Sequence, residues 1–166
     1  MTFEVSTDYR LIRDIMTHPA IWGAIGDDFT PDVAQWSPVT APNVSYIIAR
    51  DGEEVLGLWM LVAHSPVMVE VHTCLLPSAG FRRGRIAAQE MAQWIWENTT
   101  FLRIMTQCPD YNRAARKFAK AAGMQKYGEN LGAFMKNGAL CDVLLFGMSR
   151  PIEAVGSKGV IQNEAA

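Results

Sequence analysis

The chain has 166 residues, 49% of them hydrophobic and 19% charged, with a formal net charge of −2. That length holds one domain with its own core, and the composition is that of a globular chain. The near balance of charge gives no general pull towards nucleic acid. No run approaches the ~20 apolar residues of a membrane span, and the N-terminus MTFEVSTDYR lacks the apolar stretch of a signal peptide.

Residues 2–5 (TFEV) read as a short first strand. In STDYRLIRDIMTH, Ser6 or Thr7 is a candidate cap, and Tyr9, Ile12 and Met16 recur at helical spacing. His18-Pro19 should end that helix, because the residue before proline avoids the helical region. Residues 19–43 are rich in Pro, Gly, Trp and Asp and read as loop with room for a short helix. Trp22 and Trp36 lie there as candidates for a lid, a core patch or a partner surface. Next, VSYIIAR and EVLGLWMLVA form a hairpin turned at Asp51-Gly52, with Gly57 marking a bulge.

VMVEVHTCLL (67–76) is a further strand, and the arginine-rich FRRGR (81–85) follows as a turn opening a helix that stops near Asn98. FLRIMTQC (101–108) reads as a buried strand, and NRAARKFAKAAG as a helix closed by Gly123. GAFMKNGALCDVLLFGM supplies two strands joined at Asn137-Gly138. The order argues for a mixed α/β sheet with helices on both faces, one domain over 1–150 and a flexible tail over 151–166. Cys74, Cys108 and Cys141 form no CxxC pair, which suits reduced, buried thiols in a cytoplasmic protein.

A strand running into a Gly/Arg-rich turn and a helix is a generic anion site. The first N–H groups of a helix lack internal partners, and the macrodipole adds ~0.3–1 kcal/mol for a charge there. Arg82, Arg83 and Arg85 would add charge-assisted contacts to phosphate, and Gly84 would allow close backbone approach. The alternative is a solvated basic cap.

PSAGFRRGRIA, NRAARKFAKAAGM and KNGALCDVLLFGM together resemble the GNAT superfamily of acyl-CoA-dependent N-acyltransferases, over roughly residues 44–150. The branch most similar is that of ribosomal-protein N-terminal acetyltransferases, together with small GNAT-like proteins of bacteriophages. The resemblance implies a GNAT-like, mostly antiparallel central sheet and acetyl-CoA as co-substrate. The superfamily phosphate loop, R/Q-x-x-G-x-G/A, falls on Arg82, Arg83, Gly84, Arg85, Ile86 and Ala87, with Arg85 where the central glycine is expected. It implies that backbone amides of 83–87 hold the pyrophosphate. It further implies that the strand end at Leu75 and Leu76 pairs with the pantetheine arm, and that Asn112 lies beside that arm.

Acyl transfer to an amine needs the amine neutral and a proton for the leaving thiolate. Strand alternation puts Glu70, His72 and Cys74 on one face. Glu70 is the first candidate base and His72 the second, with a structural polar pair as the alternative for both. The same three residues make a metal site conceivable, but one strand with no distant fourth ligand argues against it. His18 and His64, beside prolines, read as turn or surface residues. No general acid carries over from the family: the tyrosine position is Ala119 and the serine position Ala115.

Two readings remain. In the first, the chain is an acetyl-CoA-dependent enzyme acetylating a primary amine, with peptide or protein N-termini favoured over lysine. The second is an inactive or weak GNAT-fold binding or structural protein, a phage virion component being one form. The expected partners are an acyl-CoA and an amine, with a homodimer or larger assembly allowed, and no membrane or metal. Nucleic acid is not expected, since Arg113, Lys117 and Lys120 make an ordinary solvated helix face.

Overall fold

The computed structural model describes residues 1–151, so the tail expected after Pro151 lies outside the described residues. Its elements are β1 (Thr2–Val5), α1 (Tyr9–Met16), α2 (Pro19–Ile25), β2 (Val44–Asp51), β3 (Glu54–Ser65) and β4 (Met68–Leu75). A short 3-10 turn, Pro77–Ala79, leads into α3 (Gly80–Asn98). The chain continues with β5 (Arg103–Pro109), α4 (Arg113–Ala121), β6 (Gln125–Lys136) and β7 (Ala139–Ser149).

All seven strands join one sheet in the order β1-β2-β3-β4-β5-β7-β6. Every pairing is antiparallel except β4 with β5. The two sheet faces bury different clusters. Val69 and Val71 of β4 pack with Ala87, Met91 and Ile95 of α3, while Cys74 packs with Ile12 and Ile15 of α1 and Ile21 of α2. Alternation along β4 therefore divides its side chains between α3 on one side and α1 with α2 on the other.

Local chemistry explains the boundaries. Asp8, rather than Ser6 or Thr7, caps α1 by accepting from the Leu11 N–H at 3.0 Å. His18 caps α2 through Nδ1, with Pro19 at the first helical position. Asn112 caps α4, accepting from the Ala115 N–H at 3.0 Å. At Gly57 (φ +143°) the β2–β3 register shifts, and an added Cβ would lie 2.2 Å from the Cys74 carbonyl oxygen. Only glycine fits that approach. Strand β6 begins at Gln125, well before the GAFMK segment expected from the sequence, because Gln125–Asn130 pair with Val143–Gly147.

Among the described residues no helix is long and apolar enough to cross a membrane.

Candidate active site

The parallel pair β4–β5 is short. Only Met68, Val69 and Glu70 pair with Arg103, Ile104 and Met105; beyond them neither strand finds the other. A cavity of about 530 Å³ opens in that divergence, lined by Val71, Thr73 and Leu75 from β4 and Thr106 and Cys108 from β5. Residues 71–75 are paired with β3 alone, so on their other side the alternate backbone N–H and C=O groups face the gap.

Glu70 stands where the two strands part and is 4% exposed, the one charged residue buried among the described residues. A buried carboxylate needs partners. His64 Nε2 lies 2.8 Å from its Oε2, His72 Nε2 lies 3.3 Å from its Oε1, and Gln107 Nε2 donates to Oε2 at 3.3 Å. His64, read from sequence as a turn or surface residue, thus belongs to the site. The signal was its place opposite β4 across a tight hairpin, since Ser65 pairs with Met68. His72 is held below the usual imidazole range, first by burial and then by the nearby His64, against the pull of Glu70. Its side chain lines the cavity and keeps two fifths of its surface accessible. The imidazole is therefore predominantly neutral at pH 7 and able to accept a proton.

The third member of the sequence trio, Cys74, is turned among the α1 and α2 side chains, where burial pushes its thiol up to about 12. Cys108 lines the cavity with its thiol pushed up to about 11 by burial, so it is a thiol and not a thiolate.

The arginine segment differs from the expected turn. α3 begins at Gly80, before the arginines, so the N–H groups of Gly84, Arg85, Ile86 and Ala87 lie inside the helical ladder. Ala79 and Gly80 donate to Leu76 and Pro77 carbonyls, which leaves the N–H groups of Phe81 and Arg82 as the open ones. Gly80, at φ +59° with nothing near its missing Cβ, is the open glycine. Gly84 does not offer close approach to a ligand: a Cβ there would lie 2.9 Å from Leu75 Cδ1 and 3.4 Å from Phe118 Cε2, so it is a packing glycine.

Arg83 is committed elsewhere. It bonds to Glu54 at 2.8 and 3.1 Å, to Asp51 at 3.3 Å and to the Ser78 carbonyl, holding α3 to the β2–β3 hairpin. Arg82 and Arg85 are exposed, and Lys117 of α4 lies over the Phe81 ring at 5.0 Å. Two of these cations thus lie in the first two turns of α3, and the third beside its second residue.

Leu75 lines the cavity, whereas Leu76 uses its N–H on the Leu56 carbonyl and its own carbonyl on Ala79. The Leu76 N–H and one lone pair of its carbonyl are thereby taken by the neighbouring backbone. Ile86 is half-buried and Ala87 fully buried against the α3 side of the sheet. Asn112 lines the cavity with its oxygen engaged in the cap and its amide nitrogen available. Ala115 and Ala119 also line it, so neither position brings a hydroxyl to the cleft.

No protein-family model matches the sequence, and no curated protein does. The fold has many solved counterparts. Spermidine N-acetyltransferase from Vibrio cholerae, in complex with CoA and spermine, superposes with a TM-score of 0.72 at 13% identity. The match covers 89% of this chain and 94% of that one. A protein from Streptococcus mutans matches with a TM-score of 0.63 at 14% identity over 90% and 99% of the two chains. A GNAT-family acetyltransferase from Bacillus anthracis gives 0.55 at 14% identity over 64% and 66%. At such identities the likeness establishes the fold: a mixed, mostly antiparallel sheet with helices on both faces, as in the GNAT acetyltransferases.

Proposed function

We propose that the protein is an acetyl-CoA-dependent N-acetyltransferase acting on a primary amine, with peptide or protein N-termini as the acceptor class. The observation that carries this reading is the open divergence of β4 and β5 with a buried, histidine-flanked carboxylate at its apex. An extended thioester arm fits between the strands and pairs with the free edge of residues 71–75, beside the Asn112 amide. The open N–H groups of Phe81 and Arg82, with Arg82, Arg85 and Lys117, suit the phosphates. The fold likeness supports the same chemistry, since the Vibrio enzyme was crystallised with CoA.

The chain's own groups then supply the proton steps. The ammonium of the acceptor gives its proton to the Glu70–His72 pair, with His64 and Gln107 holding the carboxylate in place. The neutral nitrogen attacks the thioester carbonyl carbon, the C–S bond breaks, and the proton shed by the nitrogen reaches the thiolate through water. Presenting a neutral amine at pH 7 costs roughly 4.6 kcal/mol for a lysine of pKa ~10.4, against about 1 kcal/mol for an α-amine near ~7.8. A site without a hydroxyl acid at positions 115 and 119 favours the cheaper acceptor. The reading puts the protein in the cytoplasm, where acetyl-CoA is at hand.

Release of free thiol from acetyl-CoA, followed with a panel of peptides and lysine-only controls whose termini are blocked, tests this. Acetylation of α-amines supports it; acetylation confined to lysine side chains refutes the acceptor class. One observation favours a second reading, a GNAT-fold binding protein such as a virion component: the alanines at 115 and 119. Tight acetyl-CoA or partner binding with no turnover on any amine would support that instead.

A further inference from the structure

We infer that the acceptor amine carries an uncharged, apolar body next to its nitrogen, and that polyamines are poor substrates. This rests on the acetyl-transfer reading. Glu70 and His72 lie on the α1–α2 face of the sheet, the side on which Cys74 packs against Ile21. The amine must therefore approach from that side, while the α3 and α4 side takes the thioester. The wall the acceptor meets is made by Ala20, Ile21, Ala24 and Ile25 of α2 and by Phe134 of β6. Helix α2, PAIWGAI, has no ionisable residue. Ala20, Ala24 and Ile25 are exposed apolar positions, open because they face the cleft rather than the core.

Among the described residues Glu70 is the one carboxylate in the lining, and the reacting nitrogen occupies it. A second ammonium on the acceptor has no anionic partner within the cavity, and an unpaired buried cation is costly. Asp27, Asp28 and Asp110 lie near Tyr111 and help raise its pKa, yet none of them lines the cavity. Asp27 accepts from Phe29 N–H and Thr30 Oγ1, and Asp28 accepts from the Asn137 and Gly138 N–H groups at 2.8 and 2.7 Å. With Lys136 donating to the Gly26 carbonyl at 2.6 Å, these contacts fasten the segment after α2 to the β6–β7 turn and fix the apolar wall.

The test compares kcat/KM for leucinamide, 2-phenylethylamine and spermidine by thiol release, in the wild type and in Ala24→Asp. The expected result is a preference of at least about tenfold for the two apolar amines over spermidine. Ala24→Asp should reduce that ratio by tenfold or more. Spermidine equal or better with the wild type, or a ratio unmoved by Ala24→Asp, overturns the inference while leaving acetyl transfer intact. If no amine turns over, calorimetric binding of the same amines to the CoA-loaded protein decides it: tighter 2-phenylethylamine supports the apolar wall, and tighter spermidine overturns it. Absence of turnover alone counts against the acetyl-transfer reading.

Discussion

Replacing Gly57 by alanine should destabilise the protein sharply, and the size of the effect can be worked from the structure. The residue has φ +143°, where an L side chain strains the backbone by roughly 1–2 kcal/mol. The new Cβ would stand 2.2 Å from the Cys74 oxygen and 2.7 Å from Leu75 Cα. Both neighbours are backbone, so the β3–β4 pair must open, at a cost comparable to overpacking a core, about 1–3 kcal/mol. A total near 3 kcal/mol lowers Tm by about 6–12 °C in a chain of this size. Two other glycines calibrate the argument. Gly52→Ala meets open space at φ +61° and should lose only the backbone-strain part, about 2–8 °C. Gly23→Ala, inside α2 with nothing within 4 Å, should leave Tm unchanged or slightly raised. Thermal unfolding followed by circular dichroism gives all three. A Gly57→Ala protein within 2 °C of wild type, on the order of 1 kcal/mol or less, would refute the account of the bulge.

Glu70→Gln keeps the shape but removes the carboxylate, so kcat should fall about 10²–10⁴-fold with acetyl-CoA affinity unchanged; a loss under tenfold would demote Glu70 to a structural role. Because the His72 pKa is depressed in the folded state, the unfolded chain binds more protons as pH falls below the ordinary histidine value of about 6.5. Stability present above that pH is lost as pH drops through the folded pKa, so His72→Gln should show a smaller fall in Tm between pH 7.5 and 5.5 than wild type. Arg82→Ala and Arg85→Ala should each weaken CoA binding by about tenfold, one charge-assisted contact. Arg83→Ala should instead lower Tm modestly and leave CoA affinity within threefold, since its guanidinium is bound to Glu54 and Asp51; equal effects from all three would contradict that division.

The sequence disclosed the elements where local chemistry is strong. Asp51-Gly52 and Asn137-Gly138 turn the β2–β3 and β6–β7 hairpins, and Asn112 and Gly123 bracket α4. Alternation along β4 put Glu70 and His72 together. What stayed hidden depends on distant chain. Arg83 reads as a free phosphate ligand until the β2–β3 hairpin brings Glu54 beside it. His64 reads as a loop residue until the tight β3–β4 turn folds it onto Glu70. The start of α3 is not legible because Gly80, a poor helix former, opens the helix with a positive φ, and the PSAG stretch shows no capping side chain. The divergence of β4 and β5 has no signature in either strand, since it arises from how each pairs with its other neighbour.

The central claim is that this divergence holds an acyl-CoA. Titration calorimetry of the purified protein with acetyl-CoA, and separately with CoA, tests it most directly. The account predicts one site per chain with micromolar affinity, weakened by Arg82→Ala. No binding at millimolar ligand would contradict it and leave a GNAT fold without its co-substrate.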